Sequence, residues 1–156
     1  MPPISAPVTT LDLVLRLGAA TVVGAAVGLN RELAGKPAGL RTHALVSLGA
    51  AALIVIGLGL GGDSGTPSRI MQGVIAGVGF IGGGVILHDR RSVHGLPTAA
   101  SIWVVASAGL ATGSGQWATA LLVVMLALVV LIAGHVLDRA LDRGGRRKPR
   151  QERDPD

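Results

Sequence analysis

Apolar positions along this chain gather into five runs separated by short polar breaks: Leu11 to Leu29, Thr42 to Leu60, Ile70 to Leu87, Leu96 to Thr112 and Trp117 to Leu137. None alternates with the period of two that a strand facing both lipid and water would need. A helix needs about 20 residues to cross the hydrocarbon core, and about 18 with few charges already qualify. In that medium every peptide group must be paired within a helix or a closed barrel. The pattern therefore predicts an all-α, polytopic transmembrane bundle of about five helices. It divides the chain into a short N-terminus (1–10), a membrane domain (11–137) and a basic, disordered tail (138–156). Residues 1–10 carry no basic residue and the first run no Ala-x-Ala exit site, so that run is expected to remain as a helix and not to be cleaved.

The charges orient the bundle. Of 14 Lys and Arg, 12 fall on one side when the breaks alternate across the membrane; only Arg16 and Arg69 fall on the other. Basic loops stay in the cytoplasm. The expected arrangement thus has the N-terminus outside, the breaks around Lys36 and Arg90 inside, and the tail inside. The tail holds seven of the 14 basic residues, which suits anchoring at the membrane lipid and not nucleic-acid binding.

Composition fits this picture. Charged residues make up 15% of the chain, against about 25% in soluble domains, and 24 residues are glycine. Small residues let membrane helices approach closely. Gly24 and Gly28 form one such face and Gly73 and Gly77 another, while Gly82, Gly83 and Gly84 mark either a packing contact or a local helix break. There is no cysteine, which removes disulfides and thiol chemistry. No nucleophile–base pair or cofactor loop stands out, so no enzyme, catalytic residue or cofactor is expected.

The polar chemistry concentrates in the first break. Asn30, Arg31, Glu32, Lys36, Arg41 and His43 lie within one short connection. Arg31, Glu32 and Arg41 are candidates to pair with one another, and a bound anion or a partner's carboxylate would take the surplus positive charge. Glu32 with His43, and His88 and His94 with Asp89, are weak candidates for a metal, whose identity stays unknown. Asp12 and Arg16 form an i, i+4 pair at the outer end of the first helix.

Four ordered stretches carry a resemblance: Gly28-Leu29-Asn30-Arg31-Glu32, Gly35 to His43, Gly77 to Gly84, and Gly95 to Trp103. Together they resemble the MgtC/SapB family of bacterial inner-membrane proteins, over roughly Leu11 to Gly115. The resemblance implies a short member holding the hydrophobic domain alone, located in the inner membrane. It also implies a link to growth under magnesium limitation and to stress adaptation. Asn30, Arg31, Glu32, Lys36, Arg41, His43 and Arg69 become its functional cluster by resemblance. Asn30 takes a place where the family usually has an acid, and Thr66 another, which weakens carboxylate coordination of Mg²⁺. The expected function is support of magnesium or stress homeostasis by acting on a membrane protein partner. The alternative is a homo-oligomeric channel or transporter for Mg²⁺ or another small ion.

Overall fold

The computed structural model describes residues 9–60, 63–89 and 92–145. It contains α1 (Thr10–Leu33), α2 (Leu40–Gly59), α3 (Thr66–Val85), β1 (Leu87–Asp89), β2 (Ser92–His94), α4 (Leu96–Gly113) and α5 (Trp117–Gly145). The helical order is the one the apolar runs predict. α1, α2, α4 and α5 are long and apolar enough to cross a membrane. α3 has the same 20 residues as α2, about 30 Å at 1.5 Å per residue. Its many glycines make it less apolar, and it is not one of those four.

Two details add to the sequence reading. The break after α3, read as a loop, pairs as a small antiparallel hairpin with Leu87 opposite His94 and Asp89 opposite Ser92. The triple glycine Gly82 to Gly84 does not break α3, which stays helical to Val85. Neighbouring intrahelical bonds suffice there, as membrane helices tolerate glycine better than water-exposed ones.

Helix α4 is the hub, packing against α1, α2, α3 and α5. Ile102, Val105 and Ala108 are fully enclosed on it, beside Val27 of α1 and Val124 of α5 on one side and Val74 and Val78 of α3 on the other. The tightest contacts use glycine. A Cβ on Gly24 would come 2.7 Å from Ser47 Cβ and 2.9 Å from Ala44 Cα. One on Gly28 would come 2.7 Å from Leu40 Cα, and Gly109 and Gly113 of α4 press likewise on Ser47 and Ala51 of α2. Gly24 and Gly28 of α1 therefore lie in close contact with α2. Gly73, Gly77, Gly83 and Gly84 instead meet nothing within 4 Å, and Gly82 makes ordinary contact with Ala99.

The ends are set by local chemistry. Thr9 Oγ1 accepts the Asp12 N–H at the start of α1. Gly35, at φ +65°, closes its end: the Gly35 N–H bonds Glu32 O and the Lys36 N–H bonds Arg31 O. That is the Schellman pattern, which needs a residue at positive φ. Gly115, at φ +77°, repeats it after α4. The consequence for α1 is an extra turn beyond Leu29, which carries Arg31 into the bundle and leaves Glu32 exposed beside the start of α2.

Candidate functional site

Where α1 ends, α2 and α4 both begin, so three helix ends meet. Arg31 lies there, 5% exposed, on the last turn of α1. Its Nη2 donates to Thr98 Oγ1 of α4 at 2.7 Å. Its Nε is enclosed without a hydrogen-bond partner. Among the described residues no carboxylate pairs with it. A buried guanidinium without a counter-ion is costly, and the C-terminal end of α1 offsets only part of that cost.

His43 sits beside it on the first turn of α2, fully enclosed. Its Nδ1 is 3.0 Å from Gly39 O, a group that can only accept, so Nδ1 carries the proton. Nε2 lies 2.9 Å from Ser101 Oγ, which is also 2.7 Å from Thr98 O. In the neutral ring, the one Ser101 hydroxyl proton thus faces two acceptors. Ser47 Oγ, one turn along α2 from His43, is buried with no partner.

The remaining members of the expected cluster behave differently. Glu32 is exposed and does not pair with Arg31 or Arg41; its Oε2 accepts the Leu40 N–H at 2.9 Å. Gly39 has no side chain to cap α2, so the carboxylate of the preceding helix supplies the cap. The cause is local: the orphan N–H at the start of α2 takes the carboxylate, and no described cation lies within ion-pair distance of it. Lys36 is exposed on the connection, Arg41 is exposed on the first turn of α2 and Asn30 is half-buried. Arg69 is at the other end of the bundle, 2.5 Å from Asp63 Oδ1. The expected cluster is therefore split between the two ends of the molecule.

At that other end Asp63 Oδ1 also accepts from Gly65 N and Thr66 Oγ1, both at 3.1 Å. These donors, Arg69 foremost, hold the Asp63 carboxyl below its ordinary value. An oxygen so occupied is a poor ligand for a hard cation. Arg16, read as an interfacial pair with Asp12, does lie 2.8 Å from Asp12 Oδ2. It also ties α1 to α4, its Nη1 donating to Gly113 O at 2.9 Å.

Two metal expectations meet different ends. Among the described residues no three His, Asp or Glu side chains group to hold an ion. The side chains of His88 and Asp89 lie outside the described residues. Thr98, Ser101 and Ser47 are the site members the sequence cluster lacked. Their signal was present, since Thr98 and Ser101 are polar at i, i+3 on one face of the opening turns of α4.

Comparison with known proteins gives this geometry a context. SrpB of Synechococcus elongatus is 42% identical, over 83% of this chain and 78% of its own length. YhiD of Escherichia coli K12 is 38% identical, over 82% of this chain and 63% of that protein. MgtC of Salmonella typhimurium LT2 is 39% identical, over 83% of this chain, and this chain spans about half, 54%, of its length. No solved structure matches. The MgtC family description matches residues 17–140, which takes in α2, α3 and α4 whole, most of α1 and α5, the buried arginine and its threonine. With four helices apolar enough to cross a bilayer, this chain is a membrane protein and belongs to the MgtC family.

Proposed function

We propose that this protein supports magnesium homeostasis from within the bacterial inner membrane by acting on a membrane protein partner, without catalysing a reaction. The magnesium link rests on the family and on relatives such as YhiD, whose name carries a provisional magnesium-transporter assignment. The observation that carries the mode of action is the buried Arg31, with no described carboxylate beside it, at the mouth of a glycine-tight bundle. A fixed positive charge opposes passage of a divalent cation. The cleft between α3 and α4 offers little alternative, being lined by apolar side chains such as Val74, Val78, Trp103 and Leu110, with Ser107.

The test pairs two assays. In proteoliposomes the protein should give no Mg²⁺ flux above empty vesicles. In cells starved of magnesium it should restore growth and cross-link to a second membrane protein. Flux that Glu32→Gln abolishes would replace this reading with the homo-oligomeric transporter. One observation favours that second reading: Gly73, Gly77 and Gly84 leave one face of α3 open to another subunit.

A further inference from the structure

We infer that the Arg31 end of the bundle is a binding site for a phosphate-bearing anion, with an anionic phospholipid headgroup as the occupant the surroundings favour. The buried Arg31 has an enclosed Nε without an acceptor and an Nη2 already oriented by Thr98. A guanidinium fixed in this way presents remaining N–H groups to an oxyanion with little further ordering. Thr98 belongs to the first turn of α4, an 18-residue helix whose N-terminus has no side-chain cap. That end adds positive potential at the same place. Glu32, the acid nearest in sequence, is engaged by the Leu40 N–H.

The rim distinguishes a lipid from a soluble ion. Lys36, on the connection between α1 and α2, and Arg41, on the first turn of α2, are exposed. Leu33 and Leu96, at the ends of helices α1 and α4, are 80% and 54% exposed. Cations beside exposed leucines at helix ends match a headgroup above and acyl chains below. The inference does not rest on the partner-binding function, and either can fail alone.

Native mass spectrometry of the full chain in detergent tests it, with short-chain phosphatidylglycerol against phosphatidylcholine of equal chain length. Phosphatidylglycerol should be retained saturably, phosphatidylcholine should not, and Arg31→Gln should weaken retention about tenfold or more, as expected for one charge-assisted bond. Thermal unfolding with phosphate, acetate and chloride forms the second arm and needs no variant. A saturating rise in Tm with phosphate alone, absent with acetate and chloride, supports the site and names the soluble source. Saturation by acetate reassigns the site to a carboxylate and overturns the inference. Equal lipid retention in folded Arg31→Gln overturns it, as does wild-type protein that saturates with neither phosphatidylglycerol nor phosphate. Should Arg31→Gln not fold, these wild-type titrations decide alone.

Discussion

Arg31 and Glu32 are neighbours of opposite charge, yet the bundle gives them unrelated tasks. The helical twist points Arg31 into the junction with α4 and leaves Glu32 beside the start of α2. Thr98→Val would strip from a buried guanidinium the acceptor it has among the described residues. It should cost about 1–3 kcal/mol, read as a fall in Tm in detergent. Thr21→Val is its control, because Thr21 Oγ1 bonds only the Leu17 carbonyl of its own helix. Glu32→Gln keeps an oxygen able to accept the Leu40 N–H and should be nearly silent in the same measurement, whereas Glu32→Ala should cost about 0.5–2 kcal/mol. An ion ligand would show the reverse ranking, with Gln as damaging as Ala.

Asp63 adds a pH dependence at the opposite end. Its carboxyl is held low by Arg69, Thr66 and Gly65. That contribution is therefore complete above the ordinary value of 3.8 and is lost as pH falls through the lower folded value. Acid unfolding of the wild type should show a component in that window which Asp63→Asn lacks. The group is fully exposed, so the component should shrink with added salt.

Among elements, glycine does two jobs that sequence spacing does not separate. Gly24 and Gly73 each begin a GxxxG pattern, but one faces α2 and the other faces away from the chain. Gly109→Ala would drive a Cβ into the Ser47 backbone and should cost at least about 1–3 kcal/mol. Gly77→Ala meets open space and should leave the monomer as stable or up to about 1 kcal/mol more stable. Tm comparison of the two variants decides the assignment.

The same limit explains what could be read in advance. Apolar run length and polar breaks were enough for the number, order and approximate bounds of the helices, because bilayer thickness dictates them. The extra turn at Asn30 to Leu33 was hidden, since its Schellman closure depends on a positive φ at Gly35. Reach was hidden too. Arg16 lies 97 residues from Gly113 in the chain, and Arg31 lies 67 from Thr98. Which helix stands beside which is a property of packing, and only the polarity of each partner was visible beforehand.

For the whole molecule, the two polar ends make orientation testable. The absence of cysteine allows single-cysteine labelling without background. Lys36→Cys should react only from the cytoplasmic side and Ser64→Cys only from the outside, as basic loops require. Inverted accessibility of the pair would move the Arg31 junction to the outer leaflet.

The glycine seams that join α1, α2 and α4 also decide how this protein is able to move. Backbones in direct contact leave no slack for one rod to slide or roll past its neighbour, since closely packed surfaces shift between discrete fits and do not deform smoothly. Those three helices should travel as a single block. Any working stroke then falls to α3 and α5, the two members that rest on this block through larger side chains and turn most of their surface to the lipid.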